Sequence, residues 1–244
     1  MKKLLMLLSA FVCMNIQAED LPNKMVDLGD IILKTDLSNA EKLTKQNFQV
    51  RKETKYAVKD GVLKLTPPKL AYGDKPPAKS KWAASTMSRM AFKEVIPQDY
   101  AVSFKFKLNK APEGFKVKKY SFFFEFGHRC VRLQQGQDGT KLLIMNHLMK
   151  EEPQEKLLMK NESFRLEPEK WYKVFAEIKG EEIIVQVNDK VFYGKDSLIK
   201  NERPKAFQLN CGGAGFELDD VTVWKVGSFK KSWDELRKTF AQTK

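Results

Sequence analysis

The chain has 244 residues, carries a formal net charge of +13 and contains no internal repeat. This length fits a short leader followed by one domain, and the missing repeat argues against a solenoid or a propeller. A basic chain attracts anions, although a lysine-rich surface that is merely solvated explains the same charge, and the lack of any nucleic-acid-binding motif argues against a DNA or RNA partner.

Residues 1–18 have the layout of a secretory signal peptide. Lys2 and Lys3 precede an apolar run over residues 4–12, and the small residue Ala18 stands just before an acidic pair. The run is shorter than the roughly 20 residues that a transmembrane helix needs. We therefore predict a cleaved signal peptide over 1–18, a periplasmic or secreted protein that does not span the membrane, and a charge of +11 after loss of the two lysines.

Short segments in which apolar and polar residues alternate follow one another from residue 31 to residue 226. This period-two pattern is typical of half-buried strands, and it is clearest where a Gly180 turn joins two of them. On that hairpin we expect Lys173, Glu177 and Lys179 to face solvent. The predicted strands cover 31–34, 47–51, 56–58, 62–66, 84–92, 100–108, 120–126, 128–134, 141–148, 172–179, 182–187, 190–193, 206–210 and 215–226.

Near the end of the chain the apolar residues recur at helical instead of strand spacing, which predicts a helix. Ser232 and Glu235 have the spacing of a capping box, and Trp233, Leu236 and Phe240 fall on one stripe. We predict one β-sandwich domain over 19–230 and an amphipathic helix over 231–244. The helix is expected to pack on the sandwich, with a partner-binding or membrane-surface role as the alternative.

Four segments resemble the concanavalin A-like jelly roll. They are V-K-D-G-V-L-K-L at 58–65, Y-A-V-S-F-K-F-K-L at 100–108, the W-Y-K-V-F-A-E-I-K-G hairpin that opens at 171, and G-F-E-L-D-D-V-T-V-W at 215–224. The similarity is to exported bacterial domains of the 3-keto-disaccharide hydrolase family and to laminin-G-like and family 16 glycosidase-like modules. It implies an all-β fold of two antiparallel sheets, and it leaves lectins, hydrolases and structural domains open.

Two cysteines remain after the predicted leader is removed, Cys130 and Cys211, both in predicted strands. In an oxidising compartment they are a candidate disulfide, and two separate buried thiols are the alternative.

The carboxylates do not form the pair that a retaining glycosidase needs. Such an enzyme places two carboxyl groups about 5 Å apart, whereas Glu125 stands alone between phenylalanines. Glu181-Glu182 and Asp219-Asp220 are adjacent in sequence and are expected to point to opposite faces of their strands. Asp219 and Asp220 are weak candidates for a structural calcium site, and no cofactor is required.

One predicted sheet face gathers polar side chains that could bind a ligand. If Phe122, Phe124 and Phe126 face the core, then Glu125 faces away from it, and the next strand adds its own outward residues to the same face. A solvated polar sheet face is the competing interpretation. The candidate ligand-binding residues are Arg89, Glu125, His128, Arg132, Gln134, Gln208, Asn210 and Trp82.

An aromatic platform would complete a sugar site, because an apolar ring packs on the C–H face of a sugar. Trp82, Tyr72 and Tyr193 are candidates for that platform. Trp171 and Trp224 occupy core-like strand positions and are expected to be structural.

We interpret the chain as an exported, non-catalytic carbohydrate-binding β-sandwich protein that prefers acidic or sulfated glycans. The alternatives are a hydrolase or lyase acting on 3-keto-glycosides and a structural envelope-interaction domain. On the binding hypothesis, Arg132→Ala and His128→Ala should weaken glycan retention with little change in melting temperature.

Overall fold

The computed structural model describes residues 22–35, 37, 48–50, 54–66, 87–92, 96–110, 122–126, 131–136, 138–145, 155–200, 207–212 and 215–241. Over these residues the chain forms fifteen β-strands, one short 3-10 turn and one α-helix, Trp233–Ala241. The strands are β1 (Val26–Lys34), β2 (Phe48–Val50), β3 (Lys55–Lys59), β4 (Val62–Thr66), β5 (Met87–Phe92), β6 (Tyr100–Leu108), β7 (Phe122–Phe126), β8 (Val131–Gly136), β9 (Gly139–Met145), β10 (Glu155–Asn161), β11 (Trp171–Lys179), β12 (Glu182–Val187), β13 (Lys190–Lys195), β14 (Gln208–Gly212) and β15 (Phe216–Phe229).

The strands form two antiparallel sheets, which confirms the predicted sandwich. Sheet 1 has the order β13-β12-β11-β6-β15-β4-β3, with β1 also paired to the long strand β15. Sheet 2 has the order β10-β9-β8-β7-β14-β5-β2. Seven of the thirteen strand pairs described join strands that are not consecutive in the chain, so long connections cross between the sheets as in a jelly roll.

Phenylalanines from both sheets meet in the core. Phe104 and Phe106 of β6 in sheet 1 contact Phe124 of β7 in sheet 2, with ring centroids 5.1 and 5.0 Å apart in edge-on geometry. All three side chains are at most 2% exposed. Since side chains alternate along a strand, this contact turns Phe123 and Glu125 to the opposite, outer face of sheet 2.

The prediction from the sequence missed strand β10 and placed the start of β1 too late. β10 contains the consecutive apolar residues Leu157, Leu158 and Met159, and its register shifts between Leu157 and Met159. A bulged strand of this kind has no period-two signal, because one extra residue changes the face of every residue after it. β1 begins at Val26 instead of residue 31 and also has shifts in register.

The C-terminal helix packs on the outer face of sheet 1, as predicted. Trp233 is 1% exposed, and its indole nitrogen donates a hydrogen bond to Glu182 Oε2 at 2.8 Å. Tyr193 packs edge-on against Trp233 at 5.7 Å and donates its hydroxyl to Glu182. Burial and the nearby Glu182 carboxylate raise the pKa of Tyr193 to about 12. Tyr193 therefore helps to hold the C-terminal helix on sheet 1. Its candidacy as an exposed sugar platform was wrong.

Two further expectations on sheet 1 were wrong. Glu177 does not face solvent: it is 0% exposed, and its carboxylate accepts backbone N–H bonds from Lys24, Met25 and Val26 at 2.8–3.0 Å. Trp171 is not in the core, since it is 38% exposed and lies under the Lys107 ammonium at 5.1 Å. The N-terminal segment therefore covers the outer face of sheet 1 at Glu177, and the same face is open to solvent near Trp171.

Candidate functional site

Three neighbouring strands of sheet 2 bring the predicted polar residues together. In the register, Glu125 of β7 is opposite Arg132 of β8 on one side and Gln208 of β14 on the other. The next row has Phe123 between Gln134 and Asn210. Directly opposed residues share a sheet face, so the two rows form one surface. We call Glu125, Arg132, Gln134, Gln208 and Asn210 the polar cluster.

An ion pair and an aromatic ring lie at the middle of this surface. Arg132 Nη2 donates to Glu125 Oε1 at 2.6 Å, and the guanidinium carbon lies 4.2 Å from the centroid of the Phe123 ring. The arginine is thus fixed by a charge-assisted hydrogen bond on one side and by cation–π contact on the other. Phe123 was overlooked within the run F-F-F-E-F, although its alternation with the core residues Phe122 and Phe124 indicates the same face as Glu125.

The polar cluster is buried, contrary to the interpretation of a solvated sheet face. Glu125 and Gln134 are each 3% exposed, and Gln208 and Asn210 are each 6% exposed. The Arg132 side chain is 11% exposed. Breaking an ion pair this deep leaves a buried charge without compensation. The expectation that Arg132→Ala would leave the melting temperature nearly unchanged therefore does not fit this environment.

Three polar atoms of the cluster are buried without a hydrogen-bond partner within the part of the chain that the structure describes. They are Arg132 Nε, Gln134 Oε1 and Asn210 Nδ2. Each such atom costs about 1–3 kcal/mol relative to a satisfied one. Two donors and one acceptor in adjacent rows around Phe123 form a set of groups that water or a hydroxylated ligand can satisfy.

Other predicted site residues are not tested. Trp82 and His128 lie outside the described residues, and so does Tyr72. For Arg89 only the backbone is described, and its register position in β5 is opposite Asn210. Their roles in a ligand site stay predictions.

The aspartate pair in β15 does not point to opposite faces. Asp220 has a positive φ of 51°, and the register with β6 shifts between Asp219 and Thr222. This bulge lets both carboxylates contact Lys105 Nζ. Burial and the adjacent Asp220 raise the pKa of Asp219. Lys105 already pairs with both carboxylates, and no group of three or more His, Cys, Asp or Glu side chains among the described residues could hold a metal.

Cys211 is 2% exposed, and its Sγ donates a hydrogen bond to the Gly215 carbonyl at 3.3 Å. Burial raises the pKa of this thiol to about 12, so it is a poor nucleophile at neutral pH. Cys130 lies outside the described residues, and the disulfide therefore stays a prediction.

Comparison with known proteins supports the fold. No family model matches the chain, and no curated protein does. Among solved structures, LamAcat from Zobellia galactanivorans aligns with a TM-score of 0.52 and 14% identity, covering 81% of this chain and 98% of the other. A structure reported for endo-acting O-glycanases of human gut microbiota that initiate mucin breakdown aligns with a TM-score of 0.53 and 11% identity, covering 81% and 100%.

At such low identity these likenesses concern the fold alone. They confirm the fold, a jelly-roll β-sandwich of two antiparallel sheets. The narrower resemblance to the 3-keto-disaccharide hydrolase family stays a prediction. Across the described residues, no helix combines the length and the apolar character that crossing a membrane would take.

Proposed function

We propose that the protein is an exported carbohydrate-binding β-sandwich protein and that the polar cluster, together with Phe123, is its sugar site. The observation that carries this proposal is the set of three buried polar atoms that have no partner among the described residues and lie beside an aromatic ring. A sugar offers hydroxyl groups that both donate and accept, next to C–H faces that pack on a ring.

The two rows of the cluster suit one sugar ring with its hydroxyls. Gln134 and Asn210 flank Phe123 directly in the register, so a sugar packed on the face of the Phe123 ring that the Arg132 guanidinium does not cover would have an amide on either side. Arg132 Nε would supply a further donor from the adjacent row. Burial strengthens each of these hydrogen bonds, because competing water is scarce.

An acidic or sulfated glycan is the preferred class in this proposal. The chain has a formal net charge of +13, and Lys141 of β9 extends the row of Gln134 at the edge of the cluster. Lys160 of β10 follows Lys141 in that row. Both lysines also contact Asp138, so their contribution is long-range attraction more than a direct contact.

Export belongs to the same proposal. If residues 1–18 are removed on secretion, the mature protein begins at Glu19. Mass spectrometry of the protein recovered from the periplasm or the medium would show that N-terminus. Recovery of the intact chain in the cytoplasm would contradict it.

The test of the sugar site is glycan binding by matched variants. The wild type is screened on neutral, uronate-bearing and sulfated glycans at low and high salt, and the dissociation constant of the best ligand is measured by calorimetry. Replacing both Gln134 and Asn210 by Leu should weaken binding at least about tenfold, since two polar contacts of roughly 1 kcal/mol each are lost. Gln98→Leu, an amide in the loop before β6, is the control.

Two results would overturn this assignment. If no glycan is retained even at low salt, the protein is better described as a structural envelope-interaction domain. If a glycan binds but the double variant binds it as tightly as the wild type, the ligand site lies elsewhere.

The alternative activity is cleavage of 3-keto-glycosides. The observation that favours it is a nearly buried carboxylate, Glu125, close to three polar atoms that have no partner in the part of the chain that the structure describes. Among the described residues in register with it on β8 and β14, Glu125 is the only carboxylate, so the two-carboxylate mechanism has no second group there. Incubation of 3-keto-glycosides and β-glucans with the wild type and with Glu125→Gln, with and without divalent metal, tests it. Product formation that Glu125→Gln abolishes would replace the non-catalytic assignment.

A further inference from the structure

A groove of about 520 Å³ opens on the outer face of sheet 1, on the opposite side of the sandwich from the polar cluster. Its floor includes Trp224 of β15 and Phe175 of β11, whose rings meet edge-on at 5.9 Å. Lys34, Lys105 and Lys173 also line it. We call this site the outer groove.

The register explains how the outer groove is built. Phe175 and Thr222 both pair with Ser103 on the central strand β6, and Lys105 pairs with Lys173 in the next row. An aromatic and hydroxyl-bearing row therefore lies directly beside a row in which Lys173 and Lys105, called here the lysine row, are followed by Asp219. The irregular strand β1 borders the groove with Leu28 and Ile31, which are 38% and 54% exposed. Trp224 is partly buried and lines an open groove, so it is not purely a core residue as its strand position indicated.

We infer that the outer groove binds a sugar ring that carries a carboxylate or a sulfate group. Trp224 offers a platform for the C–H face, Ser103 and Thr222 offer hydroxyls, and the lysine row faces the anionic substituent. The volume lies within the range of about 300–1,000 Å³ that small-ligand sites occupy. Among the charged side chains that line the groove, Lys34, Lys105 and Lys173 outnumber Asp220, and Asp219 and Asp220 contact Lys105.

Lysine and tryptophan together argue for this ligand over an apolar one. An apolar ligand would leave the lysine row desolvated against it, which is unfavourable. Lysines act as mobile point charges, so the groove would accept either anionic substituent without a fixed geometry. This site does not use any residue of the polar cluster. Its failure and the failure of the proposed sugar site are therefore separate results.

The test uses charged and neutral forms of similar glycans. The probes are a sulfated dextran oligosaccharide, an oligogalacturonate, the unsulfated dextran oligosaccharide and a single-stranded DNA oligomer of matched charge. We expect the first two, or one of them, to bind the wild type. The variant with Lys34→Gln and Lys173→Gln should bind them about five- to tenfold more weakly, and Trp224→Leu should weaken them by a similar factor.

The control removes the same charge elsewhere. Lys55 and Lys59 are exposed on the edge strand β3 and do not line the groove, so Lys55→Gln with Lys59→Gln should leave the affinity nearly unchanged. Each variant is also measured with Gln134→Leu and Asn210→Leu added, where the loss caused by the groove variants should persist. Circular dichroism confirms that each variant is folded.

Several outcomes would overturn the inference. An equal loss in the Lys55 and Lys59 control would show that only diffuse charge attracts the probes. Binding of the neutral dextran or of the DNA oligomer as tightly as the anionic glycans would exclude a site for acidic sugars. Full affinity in the groove variants would place the ligand elsewhere.

Discussion

Both sheets bury a glutamate on their outer face, but the two carboxylates have different kinds of hydrogen-bond partner. Glu177 on sheet 1 accepts three backbone N–H bonds from residues 24–26. Glu125 on sheet 2 pairs with Arg132, and the groups around that pair include three polar atoms without partners among the described residues. A buried polar site that the chain itself completes is structural, whereas one left incomplete has room for a ligand or water.

The largest expected effect on stability concerns Glu177, the buried glutamate that accepts backbone N–H bonds. Glu177→Ala removes the acceptor of two buried N–H groups and one partly buried N–H group and should lower the free energy of unfolding by about 4 kcal/mol. Urea unfolding at neutral pH measures this loss. Glu181→Ala, an exposed neighbour in the same hairpin, is the control and should change stability by less than about 0.5 kcal/mol. Equal effects at both positions would mean that the N-terminal segment is not held by Glu177.

A slightly smaller effect is expected in the polar cluster. Arg132→Met preserves much of the side-chain volume but leaves the Glu125 carboxylate buried without its partner, and should cost about 3 kcal/mol. Adding Glu125→Gln removes the stranded charge and should restore most of that loss. The four free energies of unfolding form a double-mutant cycle. If the two losses simply add, the ion pair contributes little and the cluster is more hydrated than its exposure indicates.

The sequence predicted the faces of these residues well and their burial poorly. Alternation within 122–126 and 207–210 placed Glu125, Gln208 and Asn210 on one surface, because period two is a local property of a strand. Burial depends on partners far away in the chain. The donors to Glu177 are more than 150 residues from it, and no local pattern around Glu177 indicates them.

Irregular backbone was the second feature of the structure that the sequence did not predict. The bulge at Asp220 turned two adjacent aspartates toward one lysine, and the shift within β10 removed its alternation. Both features follow from how neighbouring strands pair, which depends on register and not on composition. The same reason explains why the outer groove could not be predicted, since the irregular strand β1 borders it.

A pH dependence should sharpen the contrast between the two glutamates. Burial raises the pKa of Glu177 above its ordinary value of 4.5 despite the N–H bonds that lower it. Between the unfolded and the raised folded pKa the folded state holds more protons than the unfolded state, so stability falls as pH rises. The free energy of unfolding of the wild type relative to Glu177→Gln should therefore decrease over the pH range that begins at the ordinary pKa of 4.5 and extends upward. A constant difference across that range would show that the pKa is not raised.

The smallest expected effect on stability best distinguishes residues that bind a ligand from residues that stabilise the fold. Replacing Gln134 and Asn210 by Leu removes four polar atoms, of which Gln134 Oε1 and Asn210 Nδ2 are buried without a partner among the described residues. The free energy of unfolding should therefore change by less than about 1 kcal/mol, with stabilisation as the expected sign. Calorimetric melting measures this change, and the same variant should lose glycan affinity. Stability that is unchanged or raised while binding is lost identifies residues retained for a ligand. Destabilisation by several kcal/mol would instead mean that these amides complete the fold, as Glu177 does.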